Sequence, residues 1–235
     1  MKFTDDYDFE TLTVPAIVTG FPVAVVLAAF GFSINAYIGI TILGVELLTF
    51  LLVPSSALIR NSGKRIESKL FGDELPTTFK LRAQQSGKDK VGQRRRELVE
   101  KLSRVKLEAY AKAKYDRNEE KNTINHAISV VRERMRGKDF SLLRRELKSY
   151  GYWRNMYGIK PFAIIVVGAC IILYDFSFIL IPPDALFGWI VRLAGLLAIV
   201  CLLLFWCFLV RQKNVIDAAD NYSEQFFKSL VVLDK

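Results

Sequence analysis

The chain predicts an all-α integral membrane protein, with four transmembrane helices in two hairpins and a basic helical cytosolic insert between them. Two observations carry that prediction. From Val14 to Val53 the only charged side chain is Glu46, and from Pro161 to Val210 the only ones are Asp175, Asp184 and Arg192. A helix of roughly forty residues rises about 60 Å, twice the hydrocarbon thickness of a bilayer, so each tract must go in and come back. The charge lies elsewhere: residues 54–160 hold 27 of the 33 Lys and Arg against 13 of the 24 Asp and Glu. Only such segregation reconciles a mean hydropathy of +0.23 with 24% charged residues.

Residues 1–13 form a short cytosolic segment. Asp5, Asp6, Asp8 and Glu10 replace the positive start of a secretory signal, so the following apolar tract is expected to stay in the mature protein. The first hairpin, 14–53, divides into crossings at about 14–30 and 36–53, with turn chemistry at Gly31, Ser33 and Asn35. Gly20, Ala24 and Ala28 share one face of the first crossing, where a close neighbour fits, and Pro22 should kink it.

The insert, 54–160, reads as amphipathic helices. Leu98, Leu102, Val105 and Ala109 make one apolar stripe, Ile124, Ile128, Val131 and Met135 a second, and Phe140, Leu143, Leu147 and Tyr150 a third. Asp116 with Glu119 suggests a capping box, Gly137 a stop and Asp139 a cap, while Pro76 suits the first turn of a shorter helix. Residues 84–92 look like a flexible loop, and the Gly-Lys pairs at Gly63, Gly87 and Gly137 look like turns, since they lack the rest of a phosphate loop. Tyr150, Tyr152, Trp153 and Tyr157, with Arg154, resemble an interfacial aromatic belt.

The second hairpin, 161–210, crosses at about 161–181 and 186–210, with Pro182 and Pro183 between. The tail, 211–235, ends amphipathically at Phe226, Phe227, Leu230 and Val231, to pack on the insert or lie at the membrane surface. Short basic loops stay cytoplasmic, so the predicted location is the inner membrane, multi-pass, with both termini inside.

Ionisable residues in the apolar tracts are the candidate pathway residues. Asp175 and Arg192 fall at matching depths and are expected to neutralise each other, although a vestibule lining is also open to them. Glu46 has no basic residue at its depth on any crossing, so it is protonated, reaches a cytosolic cation or faces water. In the insert, Arg94, Arg95, Arg96, Arg132, Arg134, Arg136, Arg144 and Arg145 are candidates for anionic lipid headgroups or a phosphate-bearing ligand, or they anchor topology. No specific nucleic-acid binding is assigned to them.

Enzyme chemistry lacks parts. His126 is the only histidine, which removes triads and two-histidine metal sites. Tyr174-Asp175 has no second intramembrane aspartate on another helix to pair with as in aspartyl proteases. Cys170, Cys201 and Cys207 lie in the second apolar tract as small packing residues, with no metal pair and no cofactor implied.

Leu75-Pro76-Thr77-Thr78 with Leu81-Arg82, and Tyr150-Gly151-Tyr152-Trp153-Arg154-Asn155, resemble two stretches of an uncharacterised family of small bacterial membrane proteins with PTT..LR and YG..RN segments. The resemblance covers the insert alone, and Phe71-Gly72-Asp73-Glu74 stands where that family has a glycine-rich lead-in with tryptophan. It implies a bacterial source and a self-contained membrane protein, and no activity. The functional expectation is an oligomeric membrane effector or channel-like protein, its cytosolic helices sensing a signal or protein partner and altering permeability. Effectors of bacterial antiviral defence offer a fold-level analogy. The alternative is a non-conducting anchor or scaffold for a soluble partner.

Overall fold

A computed structural model describes residues 6–31, 56–72, 74–84, 89–107, 117–136, 140–180 and 186–234. Among them all regular structure is helical. A short helix Asp6–Asp8 and a π-helical turn Phe9–Thr13 lead into α1, Val14–Gly31. Then come α2 (56–71), α3 (Pro76–Ala83), α4 (Lys90–Ser103), α5 (Arg117–Arg134) and α6 (Ser141–Leu180). Helix α7, Leu186–Leu204, ends in a π-helical turn at Phe205–Leu209, and α8 spans Gln212–Leu233.

Three stretches are long and apolar enough to cross a membrane: Phe9–Ala28, Ser141–Leu180 and Gly188–Leu209. The fourth expected crossing, 36–53, lies outside the described residues, as does Glu46. Two expectations about the others change. The first apolar helix starts before Val14, because the π-helical turn carries the hydrogen-bonded spiral back to Phe9. Pro161, expected to open a crossing, sits inside α6. Buried Met156 and Ile159 before it and Ala163 and Val167 after it hold the helix together across the lost N–H.

The chain forms two compact units, residues 1–64 with 152–212 and residues 65–151 with 213–235. We call them the apolar and the basic unit. In the apolar unit α1 packs on α7, and the core runs from Leu12, Ala16 and Val26 through Ile59, Met156 and Ala163 to Ile199, Trp206 and Val210. Gly63 is not a turn residue. It is buried inside α2, where a Cβ would lie 2.1 Å from the Asn155 Oδ1, and a Cβ on Gly158 would lie 2.7 Å from the backbone of Ser62 and Gly63. The two glycines let α2 and α6 cross backbone to backbone.

In the basic unit α3, α4 and α5 pack pairwise, and the Ile124, Ile128, Val131, Met135 stripe is buried throughout. The first stripe is corrected. Helix α4 stops at Ser103, with Arg104 in the left-handed region at φ 60°, so Val105 lies beyond it and Val99, not Leu98, is its fully buried residue. The expected loop at 84–92 is also shorter: Asp89 caps α4 by accepting from the Val91 N–H, and Gly92 is buried within the helix. Tyr150 leaves the expected aromatic belt, since it is buried between Phe71 and a stacked Tyr222. The tail is part of this unit, burying Val215, Tyr222, Phe226, Phe227 and Leu230 while Val231 stays exposed.

Candidate functional site

Each candidate residue acquires a distinct environment. In the apolar unit Arg192 is 7% exposed. Its Nη1 donates to the Ser177 carbonyl at 3.0 Å, the guanidinium lies 5.5 Å from the Phe178 ring centre, and Tyr174 donates its hydroxyl to the Arg192 carbonyl at 3.0 Å. Asp175 is exposed on α6. Among the described residues no ion pair joins Asp175 to Arg192, whose guanidinium bonds the Ser177 carbonyl. Matching depth placed the two at one level, but Tyr174 and Ser177 lie on the buried face of α6 and Asp175 on the opposite one.

Other polar groups of this unit also turn to backbone. Asn155 is buried and donates from Nδ2 to the Thr11 carbonyl at 2.8 Å. Lys160 donates to the carbonyls of Cys207 and Val210 at 3.1 and 2.8 Å, which satisfies acceptors left open where the last apolar helix ends. Cys170 is buried as expected of a packing residue, whereas Cys201 and Cys207 are exposed.

The arginines of the basic unit divide into two groups. Arg95 is committed internally, donating to Glu224 at 2.6 Å and Gln84 at 2.8 Å with its guanidinium 4.6 Å from the Phe227 ring centre. Lys80 completes the cradle, bonding Glu224 at 3.0 Å and Asp220 at 3.1 Å. Burial raises the Glu224 pKa, but hydrogen bonds from Lys80 and Arg95 outweigh it and leave the carboxyl below the ordinary range. Arg96 is half-buried on the same helix, and Arg94 is exposed.

The second group gathers where α5 ends and α6 begins. Arg132 is half-buried, and Arg134, Arg136, Arg144 and Arg145 are exposed. Arg144 donates to the Arg136 carbonyl at 3.2 Å, Arg136 pairs with Glu133 at 2.9 Å, and Arg145 meets Glu146 at 3.5 Å.

Sequence reasoning missed Lys80, Glu74 and Glu224 as members of ion pairs. The spacing of Asp220 and Glu224, one turn apart on an amphipathic helix, was the available signal. The residues behind the family resemblance hold the fold: Thr78 donates to Asn125 at 2.6 Å, Arg82 pairs with buried Glu74 at 2.6 Å, and Leu81 is buried. Among the described residues no His, Cys, Asp or Glu group is arranged to hold a metal. No family model, curated protein or solved structure matches this chain.

Proposed function

We propose that the chain is a membrane anchor that presents its basic helical unit to an anionic partner at the cytoplasmic face of a bacterial inner membrane. The observation that carries this reading is Arg192, the one arginine of the apolar tract, which is withdrawn among Tyr174, Ser177 and Phe178. A charge on a conduction path needs water, and a buried guanidinium bonded to backbone does not serve as one. Outward residues such as Ile165, Ile172, Ile179, Leu186 and Leu197 are apolar and suit lipid contact. The 27 basic residues of 54–160 favour a cytoplasmic position for the basic unit.

A cysteine-free variant carrying Ser141→Cys or Asn221→Cys tests the orientation. Both sites are exposed, and impermeant thiol reagents should label them only after spheroplasts are opened. Labelling of intact spheroplasts would overturn the topology.

A second reading, an oligomeric effector that alters permeability as in antiviral defence, draws support from Asp175. Its carboxylate is exposed on α6 among Ile172, Phe176 and Ile179, where a second copy or a wet path would accommodate it. That reading expects expression to depolarise cells and Asp175→Asn to weaken the effect. The anchor reading expects an unchanged membrane potential with both proteins.

A further inference from the structure

We propose that the outward face of α6 between Ile165 and Ile179 is the surface on which a second copy of this chain docks, parallel and in register. The inference belongs to the apolar unit and rests only on α6 crossing a membrane, which both readings above share.

The face is built on a heptad. Ile165, Ile172 and Ile179 stand seven residues apart and are 69%, 65% and 74% exposed, while Gly168 and Asp175 follow the first two by three residues. That is the a and d spacing of a helix that packs along a seam with another helix at a shallow crossing angle. The opposite face of α6 is already committed, with Ala163, Val167, Cys170 and Tyr174 buried in the unit's own core.

Two residues of the seam are poorly suited to a single copy. A glycine inside a helix is unfavourable unless something approaches it closely. Gly158 and Gly195 meet that condition, since a Cβ on the first would strike the backbone of Ser62 and Gly63 and a Cβ on the second the Tyr174 hydroxyl. A Cβ on Gly168 would meet nothing within 4 Å. Asp175 lies about 7 Å inside the end of α6 at Leu180, farther than its short side chain reaches, and is exposed among Ile172, Phe176 and Ile179. A carboxyl group facing hydrocarbon needs a polar partner.

Self-complementarity selects a second copy over a foreign helix. Copies of one chain insert at the same depth and in the same sense, so a twofold axis along the membrane normal sets Gly168 against Gly168 and Asp175 against Asp175. Facing glycines let the two backbones approach, which is the packing that membrane helices rely on. Two carboxyl groups bond one another when a proton lies between them, because the protonated form donates and the other accepts. No cation is required, and Arg192, the one arginine of the apolar tract, is buried and turned to Ser177.

Cysteine cross-linking in native membranes tests the seam. The full chain, with its three cysteines replaced by Ala, receives single cysteines on the seam (Ile165→Cys, Ile172→Cys, Ile179→Cys) or at exposed positions beside it (Phe162→Cys, Leu173→Cys). Oxidation should give a product of twice the chain's mass from each seam position, at about fivefold or more the yield from Phe162→Cys and Leu173→Cys. Adding Gly168→Leu or Asp175→Ala to Ile172→Cys should lower that yield about fivefold, while Asp175→Asn, which still bonds its counterpart, keeps it within about twofold. Equal yields on and off the seam, or no response to Gly168→Leu and Asp175→Ala, overturn the inference. So does a cross-linked product of another mass, which would put a different membrane protein on this face. Alkaline carbonate extraction separates that failure from a failure of the membrane reading. A chain retained in the membrane without seam cross-links contradicts the docking alone, and a chain released by carbonate contradicts both.

Discussion

Arg95 in the basic unit and Arg192 in the apolar unit are both mostly withdrawn from water, yet different groups receive them. Arg95 meets the carboxylate of Glu224, the amide of Gln84 and the ring of Phe227. Arg192 meets the carbonyl of Ser177 and the ring of Phe178. A ring stands beside each guanidinium, so the contrast lies in the acceptor. Where solvent is near, a second ionised group is affordable, and Glu224 keeps 37% of its side-chain surface exposed. Within an apolar helix pair, a neighbouring helix's carbonyl accepts a charge-assisted bond from the guanidinium. Basic charge is thus retained in both units by different routes.

The contrast can be broken most forcefully at the tail. If α8 is core to the basic unit, Phe226→Ala should cost about 3–5 kcal/mol, since the side chain is fully buried. Denaturant unfolding followed through that unit checks it, and a loss under about 0.5 kcal/mol would mean that the tail is only laid on the surface. The apolar unit offers a smaller counterpart. Gly158→Ala drives a methyl into the backbone of Ser62 and Gly63 and should cost about 1–3 kcal/mol in detergent unfolding. Unchanged stability would show that α2 and α6 do not cross at that residue.

The next effect is electrostatic and depends on pH. The folded Glu224 carboxyl titrates below its ordinary 4.5. Its contribution is therefore complete above that value and is lost as pH falls through the lower folded pKa. Arg95→Met should lower stability by about 1 kcal/mol at neutral pH, a modest figure because water reaches Glu224. It should also shrink the difference between neutral and acid stability. Parallel pH profiles for the two proteins would detach Arg95 from Glu224.

Much of this was legible in the sequence and some was not, for physical reasons. The apolar tracts declare themselves by composition, and the Ile124 to Met135 stripe by a spacing that any buried helix face requires. The first stripe misled because Ser103 and Arg104 end α4 without a Gly or Pro, and a left-handed arginine is not a stop that periodicity reveals. Gly63 looked like a turn because its other role, admitting Gly158, depends on a helix nearly a hundred residues away. At the candidate site, the arginine list was visible, but its division was not. Which arginines are neutralised depends on where α8 delivers Glu224, and no local pattern in residues 94–96 encodes that.

The central claim is that Arg192 is held by its own helix pair rather than by Asp175, and a double-mutant cycle tests it directly. Asp175→Asn, Arg192→Gln and the combination are compared by unfolding in bilayer or detergent. The account predicts additivity within about 0.5 kcal/mol, because the Arg192 guanidinium bonds the Ser177 carbonyl while Asp175 is exposed on α6. A coupling of about 1–3 kcal/mol, with the double variant recovering most of the loss of Asp175→Asn, would contradict it and restore the ion pair.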